Sequence, residues 1–152
     1  MRLAEEAVAR ALERWPVARL ALRGEDGAPR QLPIVFVHRD GALWSPVDGK
    51  PKRGREPARL RLVAAEPRVS VLLDHYADDW TRLWWIEVQG RAAVVRAEDE
   101  HAPAIAPVAA ALRAKYPQYG TTPLFAGPPT LLRIDIAHVR SWGFRKGSGP
   151  EL

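Results

Sequence analysis

The sequence contains no cysteine among its 152 residues. This absence excludes disulfide bonds, thiolate metal sites and cysteine nucleophiles, and it agrees with a reducing compartment. The chain also lacks an uninterrupted run of about 18 apolar residues, which a membrane-spanning helix requires. Its first residues, MRLAEEAVARALERW, carry charges at nearly every turn and so do not resemble a secretory signal. We therefore expect a cytoplasmic protein with no membrane partner.

The usual motifs of protein-based catalysis are missing as well. No GxSxG, GxGxxG or GxxxxGK[ST] pattern occurs, which argues against a serine hydrolase, a dinucleotide-binding fold and a P-loop. The histidines are scattered without metal-ligand spacing, so we expect no metal site; they are His38, His75, His101 and His138. An enzyme without these groups would take its reactivity from a bound cofactor.

The composition is basic, with a formal net charge of +5 and a pI near 10.1. The densest basic stretch contains Lys50, Lys52, Arg53, Arg55, Arg59 and Arg61. A local patch of this kind fits a small phosphorylated ligand at least as well as it fits a nucleic-acid duplex. A nucleic-acid-binding domain is the rival interpretation of this charge. We expect no nucleic-acid partner, because no recognition motif accompanies the patch.

Hydrophobic periodicity predicts one domain over residues 1–152, mainly β in an α+β arrangement. The predicted helices cover residues 3–15, 56–65 and 98–115, and the predicted strands cover residues 17–23, 30–38, 42–47, 69–76, 81–96 and 131–139. Asp-Gly turns join the first three strands, which favours a six-stranded antiparallel barrel with flanking helices. Pro33 places its strand at an edge or a bulge, and Gly90 indicates a bend or a bulge.

A basic loop lies between the third strand and the second helix, with the sequence Val47-Asp48-Gly49-Lys50-Pro51-Lys52-Arg53. Glycine permits close backbone approach, and three cations on a short tether can surround a phosphate. The N-terminus of the following helix adds N–H groups and partial positive charge. A solvated basic loop fits the same residues equally well, so the residues alone leave both interpretations open.

A second unusual segment, Asp74–Trp85, holds three tryptophans within its last six residues. Trp84 and Trp85 are consecutive in a predicted strand and must face opposite sides of the sheet. Core packing accounts for at least one of them. Trp80 follows a polar turn, where an indole is less easily buried, so it is a candidate for covering a planar ligand or for a subunit interface.

Three segments together resemble the pyridoxamine 5'-phosphate oxidase-like split β-barrel superfamily. They are VARLALRGEDGAPRQLPIVFVHRDGALWSPVDGKPKR, ARLRLVAAEPRVSVLLDHYADDWTRLWWIEVQGRAAVV and KYPQY. Within that superfamily the sequence is most similar to the F420-dependent flavin/deazaflavin oxidoreductases. The resemblance implies an FMN-binding type of split barrel that forms a homodimer, with the cofactor sites at the subunit interface.

The resemblance also implies roles for particular residues. Lys50, Lys52 and Arg53, with Gly49, would hold the cofactor phosphate. Pro33, Val35, Trp44, Ser45, Pro46 and Val47 would flank the cofactor ring, and Trp80 and Arg82 of the other subunit would complete the pocket. No side chain is expected to act as a catalytic acid or base. The implied function is hydride transfer between F420 and a small organic substrate; the alternatives are an FMN-dependent oxidoreductase and a non-catalytic F420 carrier.

Overall fold

The computed structural model describes residues 1–48, 56–144 and 149. This part of the chain contains the helices α1 (Glu5–Arg14), α2 (Ala58–Ala65) and α3 (Ile105–Lys115). Its strands are β1 (Ala18–Arg23), β2 (Pro29–Ile34), β3 (Val37–Arg39), β4 (Ala42–Pro46), β5 (Arg68–His75), β6 (Trp84–Arg96) and β7 (Thr130–Gly143). Short 3₁₀ helices cover Trp80–Arg82, Ala102–Ala104 and Pro117–Gly120.

All seven strands form one antiparallel sheet in the order β2-β1-β5-β6-β7-β4-β3. The two strands at its edges, β2 and β3, are joined by Val35 and Phe36 alone. A link this short spans about 10 Å at most, so the two edges must lie close together. The sheet therefore curls into a barrel that is split where β2 gives way to β3. This arrangement confirms the predicted antiparallel barrel with flanking helices.

The number of strands differs from the prediction. Residues 30–38 were expected to form one strand, but they divide between β2, which pairs with β1, and β3, which pairs with β4. The chain changes neighbours at Val35 and Phe36, and this raises the count from six to seven. Pro33 lies in the edge strand β2, where a missing N–H is tolerated, as its sequence position predicts.

The turns and the bulge follow their sequence signals. Asp40 and Gly41 both have positive φ, 52° and 71°, as the tightest hairpin turns require. The register between β6 and β7 shifts at Gln89/Gly90. A Cβ on Gly90 would lie 2.2 Å from the carbonyl oxygen of Asp135, so only glycine fits there. Of the two features predicted at Gly90, a bend or a bulge, the structure shows the bulge.

Two hydrophobic clusters lie on opposite sides of the barrel wall. Ala92, Leu132 and Ile134 point into the barrel, where their cluster includes apolar residues of α1 and α2. Val95 and Leu131 have the opposite strand parity and pack under α3 instead. Helices α1 and α2 therefore complete the interior core, and α3 covers the outside of the wall near β3 and β4.

Several predicted elements have different bounds. The strand expected at 81–96 begins only at Trp84, because Trp80–Arg82 form a 3₁₀ turn. The helix expected at 98–115 is regular only from Ile105, because Pro103 lies in a preceding 3₁₀ turn. The last strand continues past residue 139 to Gly143, where it pairs with Trp84 at the start of β6. None of the helices within the described ranges combines the length and the apolar character needed to cross a bilayer.

Candidate functional site

The carboxyl end of β4 forms a rigid base for the basic loop. The N–H of Val47 donates to the carbonyl of Thr130 at 3.0 Å, and the carbonyl of Val47 accepts from Ala126 at 2.9 Å. Ser45 and Asp48 are polar residues that are almost completely buried here, with exposures of 2% and 4%. The chain therefore leaves the barrel from a point held by backbone hydrogen bonds, and the carboxylate of Asp48 is buried there.

Asp48 is held by a tyrosine far away in the sequence. The Tyr119 hydroxyl donates to Oδ2 of Asp48 at 3.1 Å. Burial raises the pKa of Tyr119, and the charge of Asp48 and this hydrogen bond raise it further. The phenol thus remains protonated at neutral pH and keeps donating, which stabilises the buried carboxylate.

Arg59 lies in the first turn of α2, beside the same strand end. Its Nη2 donates to the carbonyl of Pro46 at 3.3 Å. Burial lowers the pKa of Arg59, while the charge of Asp48 opposes that effect. Its Nε is buried and finds no acceptor within residues 1–48, 56–144 and 149. A buried N–H without an acceptor costs about 1–3 kcal/mol, so an anionic ligand at this position would be favoured.

The residue that follows the basic loop has a weaker, exposed anchor. Glu56, the first described residue after the loop, accepts a hydrogen bond from Nη2 of Arg96 at the end of β6. The loop residues Gly49, Lys50, Lys52 and Arg53 lie outside the described residues. Their assignment to a phosphate therefore stays a prediction, and the described anchors are only the residues on either side, Asp48 and Glu56.

The segment Lys115–Tyr119 connects this region to the split in the barrel. The Tyr116 hydroxyl accepts from the N–H of Phe36 at 3.0 Å and lies 2.9 Å from the carbonyl oxygen of the same residue. It also lies 3.0 Å from the carbonyl oxygen of Pro16. Phe36 lies between β2 and β3, where strand pairing is interrupted and its backbone groups have no strand partner. The Tyr116 hydroxyl provides hydrogen-bond contacts for these groups instead.

The residues predicted to flank a cofactor ring are only partly together. Trp44, Ser45, Pro46 and Val47 are buried at the end of β4, and Trp44 donates through Nε1 to the carbonyl of Arg39 at 3.2 Å. Val35 is half-buried and packs against the cluster that contains Trp44. Pro33 is exposed and opposite Arg19 on β1. Their contact with a ligand stays a prediction.

Trp80 and Arg82 lie at the opposite end of the barrel. Both are exposed in the 3₁₀ turn before β6, and Trp80 is 60% exposed. β6 starts opposite Gly143 and ends opposite Thr130, beside the end of β4. Its 13 residues correspond to about 40 Å of extended strand. Within one chain, the aromatic turn and the loop anchors are therefore far apart.

Sequence reasoning missed Asp48, Arg59, Tyr116 and Tyr119 as site residues. The two tyrosines were visible as part of the KYPQY segment, but nothing local indicated what they contact. Arg59 was seen only as part of the basic stretch. No group of three histidine, aspartate or glutamate side chains in the described part of the chain is placed to bind a metal.

Comparison with known structures supports the fold. An FAD-binding protein from Mesorhizobium loti superposes with a TM-score of 0.68 at 21% identity, covering 93% of this chain and 95% of that one. A haem storage protein from Vibrio cholerae gives 0.64 at 18%, covering 98% of each chain. An F420 reductase gives 0.59 at 19%, covering 84% and 91%. At these identities the similarity establishes the fold alone.

Sequence comparison places the chain in a family. No curated protein matches the sequence. The family model described as pyridoxamine 5'-phosphate oxidase, however, matches residues 4–143, which is nearly the whole chain. The match spans the split barrel, both anchors of the basic loop and the KYPQY segment. The chain therefore belongs to the pyridoxamine 5'-phosphate oxidase family.

Proposed function

We propose that this protein is an F420-dependent reductase that acts in the cytoplasm on a small, electron-poor organic substrate. The observation that carries the proposal is the point where the basic loop starts, at the buried Asp48 and beside the unpartnered Nε of Arg59. A ligand phosphate at this point would lie within reach of a buried guanidinium and of the loop cations that follow in the sequence. The F420 reductase of the same fold supports the cofactor class, and the FAD-binding protein supports a flavin-type ring.

The described residues fit an anionic cofactor. The orphaned Nε of Arg59 is a buried donor in need of an acceptor, beside the start of the loop. Lys50, Lys52 and Arg53 would add charge-assisted hydrogen bonds to the cofactor phosphate. Bound F420 supplies the hydride chemistry. The protein's own part is to bind the phosphate, orient the ring against β4 and exclude water from it.

FMN is the alternative cofactor, because its ribityl phosphate would suit the same loop. A carrier without catalysis is the alternative activity, and the haem storage protein of the same fold shows that the architecture also serves storage. The decisive assay is oxidation of reduced F420 by a panel of quinones, enones and nitro compounds. Substrate-dependent oxidation is expected. Tight binding without any oxidation would support the carrier instead.

We further propose that the active form is a homodimer with two shared sites. Trp80 and Arg82 are separated from the loop anchors by the length of β6, so a second chain is needed to bring them to one ligand. Four aromatic side chains are exposed near this end of the barrel, at Tyr76, Trp80, Trp142 and Phe144. Several exposed aromatic side chains at one end of a protein are typical of a protein–protein interface.

A complementation experiment tests the shared site. One variant carries Trp80→Ala and the other carries Lys50→Ala with Lys52→Ala, and each alone is expected to bind F420 weakly. After mixing and subunit exchange, half of the dimers are mixed, and one site in each has both elements intact. About a quarter of all sites should then regain affinity. Sites contained within one chain would show no recovery on mixing.

A further inference from the structure

Three arginines form a row across neighbouring strands on the outer face of the sheet. Arg68 on β5 is directly opposite Arg91 on β6. Ala21 on β1 is opposite Ser70 on β5, and two residues further in the same direction these strands carry Arg23 and Arg68. Neighbouring strands are about 4.8 Å apart, so the row is about 10 Å long. The sheet therefore places three cations side by side.

The arginine row lines a pocket of about 640 Å³. Ala21 and Ser70 line it too, and their short side chains leave space beside the row. Gly27, in the turn between β1 and β2, makes room for Arg23: a Cβ at Gly27 would lie 3.4 Å from the Nη2 atom of that arginine. The arginines therefore border one concave space instead of a flat surface.

One of the three charges is neutralised by Glu66. Its carboxylate accepts two hydrogen bonds from Arg68, at 2.7 Å from Nε and 3.2 Å from Nη2. The hydrogen bonds from Arg68 lower the pKa of Glu66 to about 2, and the charge of Arg23 adds a smaller effect in the same direction. Glu66 is therefore ionised at neutral pH and forms a forked pair with the middle arginine of the row.

The two outer arginines of the row have no such partner. Among the described residues, neither Arg23 nor Arg91 forms an ion pair. Asp135 is opposite Arg91 on β7, but its carboxylate pairs with Arg133 at 2.7 Å. Like charges that are directly opposite on a sheet repel each other, as Arg68 and Arg91 do here. An anion bound in the pocket would relieve this repulsion.

The size and shape of the positive region limit what it can bind. Pro29 on β2 and Asp135 on β7 lie at the two ends of the row, so the positive charge is confined to the pocket. A region about 10 Å long is too small for a nucleic-acid duplex but large enough for a phosphate group. Two unpaired guanidinium groups match a phosphate dianion in charge, and their planar forks match its oxygens in geometry.

We infer that this pocket binds the phosphate group of a second, small ligand, separate from the proposed cofactor. Arg23 and Arg91 donate to the phosphate oxygens, while Arg68 keeps its pair with Glu66 and adds positive potential. The described residues that line the pocket include none of the candidate site at the end of β4. The inference therefore goes beyond the proposed function and does not depend on it.

Calorimetric titration with inorganic phosphate and with glycerol 3-phosphate, at low salt and pH 7.5, tests the site. At least one of them should bind the wild-type protein with a dissociation constant below about 1 mM. Tighter binding of the ester would identify an organic ligand, and tighter binding of inorganic phosphate would identify the free ion; both support the site.

The key variant is Arg23→Gln with Arg91→Gln, which leaves the Arg68–Glu66 pair in place. It should raise the dissociation constant at least about 30-fold, because two charged donors are lost. Arg23→Lys with Arg91→Lys keeps the charge without the fork and should give an intermediate value. Arg10→Gln with Arg113→Gln removes the same charge from exposed positions on α1 and α3, and it should bind as the wild type does.

The basic loop is another place where phosphate could bind, so Lys50→Ala with Lys52→Ala is titrated in the same way. This variant should keep the affinity that depends on Arg23 and Arg91. Loss of all phosphate binding in it would overturn the inference and leave the proposed function intact. If F420 and FMN do not bind but phosphate binding still depends on the two arginines, the proposed function fails and the inference stands.

Three other results would also overturn the inference. The first is equal phosphate affinity of the wild type and the Arg23→Gln, Arg91→Gln variant. The second is binding of citrate as tight as that of the phosphate probes, which would show a site for any anion. The third is a dimer that dissociates in the variant while phosphate does not bind the wild type, which would assign the arginines to a subunit contact.

Discussion

The Tyr116→Phe substitution tests how the split barrel is held together. The ring, only 4% exposed, would keep its packing, but the hydroxyl that accepts from the N–H of Phe36 would be lost. Phe36 is fully buried, so water cannot replace that acceptor. An orphaned buried N–H costs about 1–3 kcal/mol, and the lost bond from the hydroxyl to a carbonyl adds about 1 kcal/mol. We expect a loss of about 2–4 kcal/mol in the free energy of unfolding.

Thermal unfolding gives the readout. For a chain of this size, a loss of about 2–4 kcal/mol should lower the Tm by roughly 5–15 °C. Tyr76→Phe is the matched control, because Tyr76 is 73% exposed in the single chain and the substitution keeps the ring that the proposed interface would use. Its Tm should remain within about 1 °C of the wild type. A Tyr116→Phe protein as stable as this control would refute the role assigned to the hydroxyl.

Three further substitutions test other parts of the structure. Burial lowers the pKa of Lys115 from its usual 10.5 to about 8, and the charge of Glu13 opposes this effect. Between these two pH values the unfolded chain holds the proton that the folded chain has lost, so the free energy of unfolding should rise by about 1–2 kcal/mol. Urea titrations of Lys115→Met should show no such rise. Gly90→Ala forces a Cβ against the Asp135 carbonyl and should lower the free energy of unfolding by about 3 kcal/mol or more. Gly120→Ala is the control: the space around Gly120 is open, so the urea midpoint should not change. Tyr119→Phe removes the hydroxyl that donates to Asp48 and should lower the free energy of unfolding by about 1.5–3 kcal/mol. If neither the stability nor the cofactor affinity changes, this hydrogen bond is unimportant as an anchor.

Local sequence patterns predicted much of the barrel. In β1 the alternation of apolar and charged residues matches the observed burial of Ala18, Leu20 and Leu22. The Asp-Gly turns and the bend at Gly90 also follow from local backbone requirements. The division of residues 30–38 into two strands did not follow, because which neighbour a strand pairs with depends on how the whole sheet closes.

The anchors of the candidate site were not predictable from local patterns. Tyr119 and Asp48 are separated by 71 residues, and Tyr116 and Phe36 by 80. Asp48 belongs to a polar, basic stretch of the sequence, yet it is almost completely buried. The orphaned Nε of Arg59 is visible only once α2 is packed against the end of β4. The loop cations were identifiable from composition, but the groups that fix the loop were not.

The most direct test of the central claim is a fluorescence titration of F420 against the wild-type protein and the Lys50→Ala, Lys52→Ala double variant. The account predicts a wild-type dissociation constant below about 100 μM. It also predicts a loss of about 2–4 kcal/mol in the variant, which is roughly 30-fold to 1,000-fold. Arg10→Ala, an exposed charge change on α1, should bind as the wild type does. Equal affinity of the double variant and the wild type, or no affinity for either F420 or FMN, would contradict the claim that the anchored loop holds a cofactor phosphate.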